Sequence, residues 1–175
     1  SSTTSFDVAT IVIDILKQLA MKFIEQKELI EYHFQELFMS PFYDIFESQQ
    51  DINIKLLILS CIQQLIERNG NMLQSGWTTI FSILSTAALI PETQKSCFST
   101  VTYLVDKLLP VLSVHYVHLI TIISSFIHQS PDDLQLAAVP LLSKISNNLV
   151  LKEEMTEEEI NQWLTLFQSL KNASI

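Results

Sequence analysis

The stretch that decides the fold lies at residues 51–68 and reads DINIKLLILSCIQQLIER. Its apolar side chains recur every three or four positions, which is the period of an amphipathic α-helix. Asp51 has the residue type expected at the N-cap of such a helix, and Asn69-Gly70 predicts its end. The apolar positions are Ile54, Leu57, Ile58, Cys61, Ile62, Leu65 and Ile66.

The same kind of start recurs at a spacing of 40 residues. Asp51, Pro91 and Pro131 each open a helix-like apolar run, and each run is followed by a second one. A repeat length of about 40 residues is typical of HEAT and armadillo repeats, in which helix pairs bury their apolar faces against neighbouring pairs. The sequence therefore predicts an all-α, HEAT/armadillo-like superhelical solenoid of about four antiparallel helix pairs. We expect a single fragment over residues 1–175, with pairs at roughly 5–48, 51–89, 91–128 and 131–172.

Residues 6–26 precede the stretch and predict one further amphipathic helix. Its apolar stripe consists of Val8, Ile11, Val12, Ile15, Leu16, Leu19 and Phe23. The next run, 29–46, contains Pro41, which lacks a backbone donor, so we expect a break or kink after Met39 with Ser40 capping the second half.

Several prolines and a capping motif mark the second half of the chain. The helix that opens at Pro91 is expected to end at Leu109, before Pro110, whereas Pro140 is expected to bend a helix without ending it. Thr156 and Glu159 form a capping box for a last helix that includes Trp163, Phe167 and Leu170.

The composition excludes several classes of protein. The chain has only two glycines, Gly70 and Gly76, too few for the turns of a Rossmann fold or a phosphate-binding loop. Its net charge of −9 argues against nucleic acid as a partner, since that binding depends on clustered Lys and Arg. We expect no cofactor.

Three further features bear on the cellular context. Cys61 and Cys97 lie within apolar helical runs, which favours buried reduced thiols over a disulfide. The uncharged stretches 69–91 and 108–131 contain polar residues and prolines, so we expect no transmembrane segment. No basic segment with a cleavage site precedes Phe6, so no signal peptide is expected, and the serine-rich opening suggests a piece of a longer protein.

Residues that could carry chemistry are few. His115 and His118 have a metal-ligand spacing but no cysteine or carboxylate nearby, which favours histidines at a partly buried helix edge. The acidic residues Glu153, Glu154 and 157–159 favour solvated carboxylates near a helix start.

Trp77 and Trp163 could anchor a partner, but apolar neighbours at helical spacing favour core packing. No serine has the glycine-flanked setting of a hydrolase nucleophile. We therefore predict that the chain is not an enzyme and has no catalytic, cofactor-binding or metal-binding residues. The partner-binding residues stay unassigned.

Three segments resemble a known family: residues 54–62, the turn Ser75-Gly76-Trp77 with the helix after it, and Ala87-Ala88. They resemble the helical repeats downstream of the catalytic domain in the large Golgi Arf guanine-nucleotide exchange factors, the Sec-seven group, and in their relative Mon-two. Residues 133–139 look like the aspartate-led helix that follows the Ser-Gly-Trp repeat in this family, and Leu109-Pro110 and Ile145-Ser146 look more like Mon-two. The similarity extends over roughly residues 30–150.

The resemblance implies a function as well as a fold. It implies a non-catalytic scaffold in vesicle trafficking, within a cytoplasmic protein that is peripheral on the Golgi, the trans-Golgi network and endosomes. The partners it implies are Arf and Arl small GTPases and, for Mon-two, a Dopey-type scaffold. A generic HEAT or armadillo adaptor, such as a transport-receptor fragment, stays open as the alternative.

Overall fold

The computed structural model describes residues 2–26, 33–150, 156–157, 160–161 and 163–164. Within these residues every regular element is helical, which confirms the all-α prediction for this part of the chain. The chain forms two compact units, Ser1–Cys97 and Phe98–Ile175. The α-helices are α1 (Ser2–Ile24), α2 (Phe34–Ser48), α3 (Ile52–Asn69), α4 (Gly76–Leu89), α5 (Pro91–Tyr103), α6 (Tyr116–Gln129) and α7 (Asp132–Val150).

The first unit is built by two kinds of helix contact. α1 packs against α2, and an aromatic stack joins them, with the ring centroids of Phe23 and Phe38 3.7 Å apart. In addition, α1 packs against α3 and α2 packs against α4. The first helices of two successive pairs, α1 and α3, therefore lie next to each other, and so do the second helices, α2 and α4. In addition, α1 is the neighbour of α2.

The start of α3 forms as the sequence predicts. The Asp51 carboxylate accepts a hydrogen bond from the Asn53 N–H at 2.9 Å, so this side chain caps the first turn. The helix ends at Asn69, and a short 3-10 turn, Gly70–Met72, follows it. The predicted end at Asn69-Gly70 is confirmed.

The predicted break at Pro41 is wrong, because α2 continues through this residue. Proline cannot donate to the carbonyl four residues earlier, which belongs to Leu37. The Ser40 hydroxyl donates to that carbonyl at 3.1 Å instead. Ser40 thus replaces the missing donor and does not cap a second helix. Residues 27–32, where part of this run was predicted, lie outside the described residues.

The second unit contains a change of helix type that the sequence did not predict. The α-helical part of α5 ends at Tyr103, a π-helical turn covers Leu104–Leu108, and a 3-10 segment covers Leu109–His115. The backbone leaves helical geometry at Leu108 (φ −120°, ψ 4°). The predicted stop before Pro110 is therefore close to the observed one, but a widened π turn leads into it.

The second unit is held by contacts between α6, α7 and this irregular segment. The Tyr116 hydroxyl lies 3.1 Å from the carbonyl oxygen of Leu109 and 2.8 Å from Oδ1 of Asn148 on α7. Burial raises the pKa of Tyr116. Lys144 of α7 forms a 2.5 Å ion pair with Asp106 in the π turn. α7 continues through Pro140, as predicted.

Within the described residues, one helical stretch, Pro91–Gln129, has the length and apolar composition that would allow it to cross a membrane. In its most apolar window, 44% of the residues are buried in the protein, and the stretch is interrupted at Leu108 and at Leu112 (φ −96°, ψ 16°). Buried core helices of soluble proteins meet the same length and composition test.

Candidate protein-interaction surface

Gln35 joins the start of α2 to the turn before α4. Its side chain is 1% exposed, and its Nε2 donates to the Met72 carbonyl oxygen at 3.1 Å. Its Oε1 accepts a hydrogen bond from the Gln74 N–H at 2.7 Å. One buried amide therefore satisfies two backbone groups of the turn and fixes the turn against α2.

Ser75 and Gly76 complete this attachment. α2 has no side-chain cap of its own at His33, but the Glu36 N–H in its first turn donates to the Ser75 hydroxyl at 3.1 Å. A Cβ atom on Gly76 would lie 3.0 Å from Cδ2 of Leu73, closer than side-chain carbons normally approach. A side chain at this position would therefore require Leu73 to shift by a few tenths of an ångström.

Trp77 follows directly and lies in the core, as predicted. It is 2% exposed, and its ring centroid lies 5.8 Å from that of Phe81. Trp163 is half-buried, and its predicted neighbour Phe167 lies outside the described residues. Trp77 is therefore excluded as a surface anchor for a partner.

The segments 54–62 and 75–88, which carry the family resemblance in α3 and α4, lie mostly in the protein interior, whereas Leu136 and Val139 in the segment 133–139 are exposed. Ser75 is half-buried, and most of the segments' other residues are buried, including Ile54, Ile58, Leu59, Cys61, Ile62, Gly76, Trp77, Ile80, Phe81, Ile83, Leu84, Ala87 and Ala88. These residues form the core of α3 and α4. They define how the helices pack and do not form a surface that a partner could contact.

Side chains of α5 cap the end of α4. The Thr93 hydroxyl donates to the Ala87 carbonyl oxygen at 2.6 Å, and Nε2 of Gln94 donates to the Ala88 carbonyl oxygen at 3.0 Å. Both side chains are buried, so two carbonyls of the last turn of α4 gain hydrogen bonds away from water, and the Ala87 carbonyl also accepts from the Ile90 N–H at 3.4 Å. The turn between α4 and α5 is thereby fixed.

Both cysteines are free and buried, which confirms the prediction. The Cys97 Sγ lies 3.3 Å from the Leu84 carbonyl oxygen, and burial strongly raises the pKa of Cys97. Burial also raises the pKa of Cys61, an effect opposed by the charge of Lys17 on α1. Neither thiol has the lowered pKa of a nucleophile.

Lys55 contributes a contact that the sequence analysis did not find. Its ammonium donates to the Phe46 carbonyl oxygen in the last turn of α2 and lies 4.5 Å from the centroid of the Phe46 ring. A cation at a helix C-terminus complements the helix dipole. Lys55 lies within the apolar run of α3, and no local spacing in the sequence relates it to Phe46.

The histidine pair lies where the 3-10 segment meets α6. His115 is half-buried, His118 is exposed, and their ring centroids are 5.9 Å apart. Burial lowers the pKa of His115, and the charge of His118 lowers it further. The described part of the chain contains no group of three or more His, Cys, Asp or Glu residues arranged to hold a metal ion.

The acidic segment near the C-terminus is described only in part. Glu157 is exposed, and the Ile160 N–H donates to the Thr156 carbonyl oxygen at 3.0 Å, as in a first helical turn. Glu153, Glu154 and Glu159 lie outside the described residues, and so does the Glu159 side of the predicted capping box.

Most of the predicted apolar stripe of α1 faces away from the core, although Phe23 packs against α2. Five of its residues are exposed: Val8 (56%), Ile11 (61%), Val12, Ile15 (52%) and Leu19. The residues of α1 that are buried in the first unit are Ile13, Ala20 and Ile24 on the other side of the helix. An exposed apolar stripe of this length is a candidate interaction surface, and we call it the α1 outer face.

Comparison with protein families identifies the segment that contains α2, α3 and α4. Residues 22–104 match the model of the Sec7-like HDS family, described as Mon2/Sec7/BIG1-like, HDS. Residues 22–104 are therefore similar to the Sec7-like HDS region of this family. The resemblance seen in the sequence to the large Arf exchange factor family is thus confirmed. Its extension to residue 150 lies beyond the matched HDS region and stays a prediction.

Individual relatives agree with this assignment of the HDS region. Brefeldin A-inhibited guanine nucleotide-exchange protein 4 of Arabidopsis thaliana is 39% identical over 85 residues, which is 49% of the chain. The ADP-ribosylation factor guanine nucleotide-exchange factor sec71 of Schizosaccharomyces pombe is 42% identical over 83 residues, or 47% of the chain. Factor sec72 of the same yeast is 33% identical over 109 residues, or 62% of the chain. The matched parts cover 5%, 5% and 6% of these relatives.

Proposed function

We propose that the chain is a non-catalytic protein-interaction segment of a large regulator of Arf-type GTPases. The observation that carries this proposal is the HDS match at residues 22–104, with relatives named as Arf guanine nucleotide-exchange factors. The described residues supply helix surfaces and tight cores. Burial raises the pKa of both thiols, and within the described residues no group of three or more His, Cys, Asp or Glu residues is arranged to hold a metal ion.

The architecture we propose is a HEAT/armadillo-like solenoid over residues 1–175, with pairs at roughly 5–48, 51–89, 91–128 and 131–172. The packing of α1 on α3 and of α2 on α4 supports it, because in stacked repeats the first helix of one pair packs on the first helix of the next, and the second on the second. The capped turn between α4 and α5 supports continuation from one pair to the next.

The proposed setting follows from the family. We place the protein in the cytoplasm, peripheral on the Golgi, the trans-Golgi network and endosomes, where it acts in vesicle trafficking. Its partners would be Arf and Arl GTPases and, on the Mon-two-like branch, a Dopey-type scaffold. The names of the yeast relatives, ADP-ribosylation factor exchange factors, support the GTPase partner.

Binding measurements test the partners directly. The chain is immobilised, and Arf-type and Arl-type GTPases in their GDP and GTP forms, and a Dopey-type scaffold, are passed over it. Saturable binding of at least one of them is expected. Binding of none of them, by a chain whose helical circular dichroism is intact, would contradict the proposal and favour a generic adaptor.

A matched pair of variants in the full-length protein tests the role of the HDS region. Gly76→Leu is expected to disrupt the region, because its side chain must displace Leu73 and Gln35. Thr78→Ala, on the exposed side of α4, serves as the control. We expect only Gly76→Leu to release the protein from Golgi membranes. Equal localisation of both variants would exclude a scaffolding role for this region.

A further inference from the structure

Residues 12–24 of α1, which include Val12, Ile15 and Leu19 of the α1 outer face, repeat most of the apolar pattern of α3. Counting from Val12 to Ile54 gives a separation of 42 positions, at which most apolar positions of residues 12–24 match apolar positions of α3, whereas Ile13 is matched to Lys55. α2 and α4 follow the same register, with Phe42 matched to Leu84 and Phe46 to Ala88. The matched apolar pairs of α1 and α3 are Val12 and Ile54, Ile15 and Leu57, Leu19 and Cys61, Ala20 and Ile62, and Ile24 and Ile66.

The side of α3 that carries Cys61 and Gln64 is covered by α1. The Lys17 ammonium of α1 lies 3.4 Å from Oε1 of Gln64 on α3. Lys17 and Asp14 also act on the pKa of Cys61, so Cys61 lies close to both α1 charges. Cys61 and Gln64 therefore mark the line along which α3 meets α1.

The equivalent line on α1 is uncovered. In the register of 42 positions, Cys61 corresponds to Leu19 and Gln64 corresponds to Lys22. Leu19 and Lys22 are both exposed, and so are Val12 and Ile15. α1 thus presents outward the same kind of surface that α3 presents to α1.

We propose that the α1 outer face docks an amphipathic helix of the α1 kind, supplied by a helical repeat outside residues 1–175. This inference rests on the repeat architecture of the proposed function and not on its GTPase partners. The docked helix packs on Ile15 and Leu19 as α1 packs on α3. It carries a carboxylate at the position equivalent to Lys17, because the group it meets is the Lys22 ammonium and not the Gln64 amide.

A second copy of this chain does not fit this requirement. The α1 side that carries Lys17 and Ala20 already faces α3 and α2 within its own unit. If a second copy used its own outer face, Lys22 would stand in place of the required carboxylate. Pairing of two copies is therefore an alternative outcome of the test.

The probe is a fluorescent peptide with the sequence of residues 2–26 carrying Lys17→Glu, and its binding to the whole chain is followed by anisotropy. Saturable binding is expected. Ile15→Asp in the chain is expected to weaken it at least about tenfold, since a buried isoleucine contributes that much to affinity. The matched control, Thr78→Asp on exposed α4 surface, is expected to leave affinity unchanged.

A charge reversal tests the register. Lys22→Glu in the chain is expected to reverse the preference between the probe that carries Lys17→Glu and a peptide of unmodified sequence, by about two- to fivefold, as for an exposed ion pair. Three results would overturn the proposal: absence of binding, binding that ignores Ile15→Asp, or self-association of the chain that Ile15→Asp abolishes. Peptide docking without any GTPase binding would refute the proposed partners and leave this inference intact.

Discussion

Replacing Gln35 by alanine should destabilise the first unit by about 2–3 kcal/mol. The substitution removes two hydrogen bonds, to the Met72 carbonyl and from the Gln74 N–H, each contributing about 1 kcal/mol net. It also removes the buried stem of the side chain, which contributes a further 0.8 kcal/mol or so per methylene. Since both bonds hold the turn before α4, we expect the turn and α4 to loosen together.

The assay is urea unfolding followed by tryptophan fluorescence in a Trp163→Phe background, which leaves Trp77 as the single tryptophan. Trp77 is buried directly after the turn, so its emission reports the first unit. With a denaturant slope of about 1.5–2 kcal/mol/M, the midpoint should fall by roughly 1–2 M.

Gln63→Ala is the matched control for Gln35→Ala. Gln63 is also a helical glutamine, but its amide bonds only to Glu67 at an exposed i,i+4 position. Its loss should cost less than about 0.5 kcal/mol. Equal midpoint shifts for the two variants would refute the reasoning that the turn is held by Gln35.

The other predictions concern α2, the second unit and the thiols. Ser40→Ala should cost about 0.5–1 kcal/mol in the natural chain and almost nothing in a Pro41→Ala background, where an amide can replace the hydroxyl; a double-mutant cycle measures the difference. Tyr116 should ionise above the ordinary tyrosine pKa of about 10, which absorbance at 295 nm checks. The free energy of unfolding should therefore fall as pH rises through this raised pKa, and Tyr116→Phe should reduce the fall, as measured by alkaline unfolding. Native Cys61 and Cys97 should resist a thiol reagent at neutral pH and react on unfolding, Cys61 before Cys97 as denaturant is raised; rapid reaction in the native chain would contradict their burial.

Much of the fold was predictable because it depends on local signals. The apolar period of α3 and the Asp51 cap act within one or two turns, so a single sequence contains them. The same holds for the start at Pro91, where α5 does begin. The family was found by the resemblance of specific residues, above all 54–62 and Ser75-Gly76-Trp77, and not by the apolar pattern itself.

What could not be predicted depends on residues that are distant in sequence or on competing local bonds. The helix survives Pro41 because Ser40 supplies a donor, a compensation that the proline rule ignores. Gln35 and Lys55 act across 37 and 9 positions, respectively. The apolar period of α1 also did not determine whether its stripe faces the core or the solvent. A period shows that one helix face is apolar but not which neighbouring element packs on it.

The burial of the recognition segments limits what a match to this family conveys about binding. Two proteins could share residues 54–62 and 75–88 almost completely and still differ at every position that contacts a partner, because such a match compares mostly buried residues. Outward-pointing positions such as Leu37, Asp44 and Thr78 are free to diverge without weakening the likeness that unites the family. Partner choice across its members should therefore be sought in comparisons restricted to the solvent-facing residues of each helix.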